Sequence, residues 1–221
     1  MKVALLLPGY LDSPDYLDMV TFGKGLTELG YTTERLDACD LWRTGDVANY
    51  TITNLLKQIE ERISFYKTQN PEEIVLVGHS RGGLAAIIAG NRMPEVTKIV
   101  ALCAPSDMKS SAHKWEGGKA RVSTRDLVED PSKFRTFSIP YSYLVDAMQY
   151  SAEEEVENIH VPLMIFIALD DTTVPPEQTE RIVKNAISPH VVRQSHMKHN
   201  YRRSQKDCDI VMKKIEEFLI R

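Results

Sequence analysis

The chain has 221 residues, 43% hydrophobic and 26% charged, enough to bury a full α/β core without disulfide or metal staples. That ordinary balance excludes a disordered or fibrous chain. The net charge of −4 gives neither the basic footprint of a nucleic-acid binder nor a polybasic membrane anchor, so neither partner is expected. The scattered cysteines Cys39, Cys103 and Cys208 read as free thiols of a reducing compartment, with Cys103 a small core residue. The first apolar run is too short for a secretory signal, and no run approaches the about 20 residues that span a bilayer. A cytoplasmic location is expected.

Residues 3–7 form a continuous apolar run, the pattern of a parallel strand covered on both faces, and end at Pro8-Gly9-Tyr10, a turn signal. Asp12-Ser13-Pro14 reads as the cap of a helix reaching about Leu29, with Gly30 as its stop. Residues 32–36 alternate as a second strand, and 40–49 read as loop. Thr51 or Thr53 caps an amphipathic helix whose stripe is Ile52, Leu55, Leu56, Ile59 and Ile63. Residues 74–77 and 99–103 are buried strands, with a buried helix over 84–89 between them and a break at Met93-Pro94. The rhythm then stops from 104 to about 158, far longer than a crossover needs. A strand over 161–168, a helix over 176–186, a short strand at Val191-Val192 and an amphipathic helix over 202–220 close the chain. Strands alternating with helices at this pace predict about six parallel strands flanked by helices.

Chemistry concentrates at Gly78-His79-Ser80-Arg81-Gly82, followed by Gly83, between the strand ending at Val77 and the helix beginning near Leu84. A tight strand-to-helix turn needs glycines on both sides of the serine, because flanking side chains would collide. It lifts the serine above the sheet and aims the N–H groups of the new helix at it, the Arg81 N–H first. Further on, Asp170 and Asp171 follow a strand, where a carboxylate can accept from an imidazole N–H. His196 and His199 lie between the last strand and the last helix. His79 reads as packing. The spacing of His196 and His199 could suggest zinc, but no third ligand is offered nearby, so no metal is expected.

The turn resembles the nucleophile elbow of the α/β-hydrolase superfamily in its Gly-His-Ser-x-Gly-Gly form. The resemblance implies a three-layer α/β-hydrolase fold spanning 1–221, with residues 104–158 as a helical lid insert. It implies Ser80 as nucleophile. Asp171 is the acid, because Ala168-Leu169-Asp170-Asp171-Thr172-Thr173-Val174-Pro175 is similar to the family's Gly-x-x-Asp-x-x-Val-Pro, with Ala168 for the glycine and Asp170 a neighbour. His199 is favoured as base over His196, for its separation from Asp171 and its place before the final helix. The second oxyanion donor falls on the N–H of Tyr10, with Leu11 as alternative; Gly9 is kept, but Pro8 stands where the family often has His.

The insert holds Trp115, Phe134, Phe137, Tyr141, Tyr143 and Tyr150, which either line an acyl or aryl pocket or dock the insert. Between 109 and 135 basic residues outnumber acidic ones, seven to four, with a pull on anionic substrates or a solvated surface as the two readings. The implied activity is hydrolysis of small-molecule carboxylic esters through an acyl-enzyme, without cofactor or metal. Thioesterase, amidase or acyltransferase chemistry would use the same frame, as would a ligand-binding protein with a vestigial site. The oligomeric state is not legible.

Overall fold

Strand β1 (Lys2–Leu7) shows how the layers arise. Val3, Leu5 and Leu7 enter one core while Ala4 and Leu6 enter the other, the two-residue period of a strand covered on both faces. The structure, a computed structural model, describes residues 1–220; the side chains of Ser110, Ser111, Lys114 and Glu116 lie outside the description, the last two being among the insert's charges. After β1 come α1 (Leu17–Glu28), β2 (Tyr31–Arg35), the short α2 (Leu41–Thr44), α3 (Ile52–Lys67), β3 (Glu73–His79), α4 (Arg81–Arg92) and β4 (Lys98–Leu102). The insert then contributes β5 (Arg121–Asp126), β6 (Phe134–Ile139), α5 (Tyr141–Ala147) and α6 (Ala152–Glu155). The chain ends with β7 (Leu163–Ala168), α7 (Pro176–Asn185), β8 (His190–Gln194) and α8 (Gln205–Leu219).

The main sheet has six strands in the order β2-β1-β3-β4-β7-β8, and every pairing in it is parallel. Helices α1 and α8 cover one face through Met19, Phe22, Leu26, Val211 and Ile215. Helices α3, α4 and α7 cover the other through Leu55, Ile59, Leu84, Ile88 and Ile182. The strand order reverses between β1 and β3. A crevice outside the carboxyl ends of the strands opens at such a switch point, where open α/β sheets bind ligands. Among the described residues no helix is long and apolar enough to cross a membrane.

Two caps differ from the sequence reading. Helix α1 starts at Leu17 with no side-chain cap, because Asp12 is drawn away to the guanidinium of Arg125, 3.1 Å distant. The last helix starts only at Gln205, capped by Ser204, since Arg202 turns inward onto Asp126 at 2.9 Å. Thr51 caps α3, whereas Thr53 bonds Asp146 of the insert.

The insert holds helices, as expected, and also an antiparallel hairpin of β5 and β6. The period-two signal lies in β6, where Phe137 and Ile139 are buried while Thr136 and Ser138 are exposed. Charged and hydroxyl residues dilute the same signal in β5.

Candidate active site

Ser80 sits at φ 54 and ψ −117, between the last residue of β3 and the first of α4. A non-glycine residue held there costs roughly 1–3 kcal/mol, sustained only by a rigid surround. That surround is backbone on backbone: a Cβ on Gly78 would stand 2.1 Å from Gly82 O, and one on Gly82 would stand 2.0 Å from Leu7 O. The Ser80 N–H anchors the turn by donating to Leu102 O at 2.7 Å. The glycines thus let α4 start directly against the ends of β1 and β3.

Ser80 Oγ lies 2.9 Å from His199 Nε2, and His199 Nδ1 lies 2.6 Å from Asp171 Oδ2. All three residues are buried, with exposures of 8%, 6% and 5% for Ser80, His199 and Asp171. The second Asp171 oxygen accepts from the N–H groups of Thr173 (2.8 Å) and Val174 (2.9 Å), so the carboxylate is fixed from both sides. A hydroxyl bonded to an imidazole whose far nitrogen is held by a buried carboxylate is an arrangement able to release its proton and attack a carbonyl.

His196 and Asp170 stand apart from this chain: the His196 side chain is 95% exposed, and its Nδ1 lies 4.0 Å from Asp170 Oδ2. His196 occupies a left-handed position at φ 57 beyond β8, which turns it outward.

On the loop after β1, Leu11 N–H donates to the Tyr50 hydroxyl at 2.6 Å. Of the two donors expected there, Leu11 is thus engaged elsewhere, while Tyr10 lines the cavity at Ser80 together with Arg81, which opens α4, where the helix dipole favours negative charge.

His79 packs, as its sequence context suggested, but its partner was not legible. Its ring lies 4.8 Å from that of His199 and 4.9 Å from that of Tyr201. Burial, then the neighbouring His199 and Arg202, hold His79 well below the usual histidine range, so it backs the imidazole as a neutral ring. The side chain of Arg81 is also buried. Its guanidinium stacks 4.1 Å over Tyr50 and donates to Thr51 O at 2.7 Å, with no ion pair among the described residues.

Ser80 opens on a cavity of about 110 Å³. Tyr10, Trp115, Arg121, Tyr143 and Val174 are among its walls. Trp115 and Tyr143 thus line the pocket, whereas Phe137 docks the insert on Trp42 with ring centres 5.8 Å apart. Phe134 and Tyr141 are exposed. Among the described residues, no group of three His, Cys, Asp or Glu side chains is placed to hold a metal ion. The Tyr50 hydroxyl and the Arg121 side chain were missed in the sequence. Nothing local marks Tyr50, and Arg121 carries only the basic excess of its region.

A sequence model of the PGAP1-like alpha/beta domain matches residues 41–198. No curated protein sequence matches the chain. Est1E from Butyrivibrio proteoclasticus superposes with a TM-score of 0.76 at 18% identity, over 99% of this chain and 87% of that one. The esterase domain of a Rhodothermus marinus protein gives 0.71 at 22% identity, over 97% and 84%. Alpha/beta hydrolase domain-containing protein 10 from mouse gives 0.74 at 18%, over 98% and 88%. With a family match across most of its length and this strand order, the chain belongs to the PGAP1-like alpha/beta domain family and has the α/β-hydrolase fold.

Proposed function

We propose that this protein is a serine hydrolase that cleaves carboxylic esters of small molecules through an acyl-enzyme. The observation that carries the reading is the unbroken chain of hydrogen bonds from Asp171 through His199 to Ser80, ending at a cavity. His199 Nε2 takes the Ser80 proton as Oγ attacks the ester carbonyl. The N–H groups of Tyr10 and Arg81 hold the oxyanion. The tetrahedral species collapses as His199 returns that proton to the leaving alcohol. Water, deprotonated by His199, then releases the acid and restores Ser80. Asp171 keeps Nδ1 protonated and balances the imidazolium. Residues 104–158 act as a lid whose Trp115 and Tyr143 wall the acyl group.

A fluorophosphonate probe tests this directly. Covalent labelling at Ser80 is expected, with no label on Ser80→Ala. Hydrolysis of 4-nitrophenyl acetate by Ser80→Ala is expected to fall about 10⁴-fold or more, with the melting temperature little changed. Folded wild-type protein that takes no label at Ser80 would overturn the reading.

A further inference from the structure

Three arginines lie on the inner face of the insert hairpin: Arg121 and Arg125 on β5, and Arg135 on β6 directly opposite Arg125. Two of them fasten the hairpin to the body. Arg125 donates to Asp12 Oδ1 at 3.1 Å and to Tyr10 O. Arg135 donates to Trp42 O and lies over the Trp42 ring at 5.5 Å. Arg121, four residues before Arg125 on the same face, has no such anchor. Half-buried, it lines the cavity that holds Ser80, its guanidinium 5.9 Å from the centre of the Tyr10 ring. Among the described residues it makes no ion pair, and no aspartate or glutamate lines the cavity. Arg81 beneath adds a second, buried cation without a carboxylate. In a chain of net charge −4, the lining of this cavity therefore carries two arginines and no carboxylate. A guanidinium fork left without an anion matches a carboxylate in shape and charge.

We propose that Arg121 selects substrates carrying a carboxylate close to the scissile ester, with the Arg81 field in support. This inference rests on the hydrolase reading and narrows it to anionic esters. Two matched pairs test it: mono-4-nitrophenyl adipate against methyl 4-nitrophenyl adipate, and 4-acetoxybenzoate against methyl 4-acetoxybenzoate. The readout is the ratio of kcat/KM for the acid over its methyl ester. In wild type the ratio is expected to favour the acid by about tenfold in at least one pair, mostly through KM, and to shrink with added salt. Arg121→Ala should bring that ratio to about one, Arg121→Glu should invert it, and Arg121→Lys should keep part of it. Turnover of both members with a ratio unmoved by Arg121→Ala and Arg121→Glu would overturn this inference alone. Turnover of neither member, with Ser80 unlabelled, would remove the hydrolase reading and this inference with it.

Discussion

At the serine turn, backbone is pressed on backbone, and three short elements meet with no room for a Cβ at Gly78 or Gly82. The insert reaches the same cavity by other means. Its hairpin and helix are tied down by side chains: Arg125 to Asp12, Arg135 to Trp42 O, Asp126 to Arg202, and Asp146 to the first N–H groups of α3. The first construction fixes where Ser80 stands and leaves no room for a side chain at either glycine. The second fixes what surrounds it, through contacts that can be exchanged singly. On the proposed reading, reaction type belongs to the sheet and substrate choice to the insert.

The largest effect should separate His199 from His196. His199→Ala is expected to lower kcat/KM on 4-nitrophenyl acetate by about 10⁴-fold, while His196→Ala, an exposed substitution, should stay within about twofold. Equal losses would mean that the observed hydrogen-bond chain is not the one in use. Next comes the turn itself. Gly82→Ala is expected to cost about 4 kcal/mol or more through collision with Leu7 O, lowering the melting temperature by about 10 °C. A melt close to wild type would show that this backbone can yield.

That second test also marks what the sequence could reveal. Gly78, Ser80, Gly82 and Gly83 act on one another within a few residues, so their spacing carried the turn, and the apolar runs beside them carried the parallel sheet. The cap at Asp12-Ser13 failed because Asp12 answers to Arg125, more than a hundred residues away. Tyr50 escaped notice for the same reason, since only the fold brings its hydroxyl to Leu11 N–H. The hairpin was hidden because β5 spends its alternate positions on arginines and hydroxyls rather than on apolar residues.

The insert should respond more mildly, and with pH. Burial raises the Asp126 carboxyl, but the hydrogen bonds and charges of Arg202 and Arg203 outweigh it and bring it to about 2. A carboxyl held below its unfolded value of about 3.9 contributes its stability above that pH and loses it as pH falls toward the folded value. Asp126→Asn is therefore expected to cost about 2 kcal/mol at pH 7, and the gap between the two thermal melts should close between about pH 4 and pH 2. A gap independent of pH would show that packing, not charge, seats the hairpin. The smallest effect belongs to its outer face. Val122→Thr and Phe134→Ser, both at exposed positions, should leave stability within about 0.5 kcal/mol and the acid-to-ester ratio unchanged.

Asp171 divides its two oxygens between different masters. One steers the imidazole of His199, and the other grips the N–H groups of Thr173 and Val174, whose side chains form part of the cavity wall. The carboxylate that holds the ring is thus itself held by backbone that borders the cavity. One side chain therefore ties the imidazole beside Ser80 to the rim of the space that Ser80 faces.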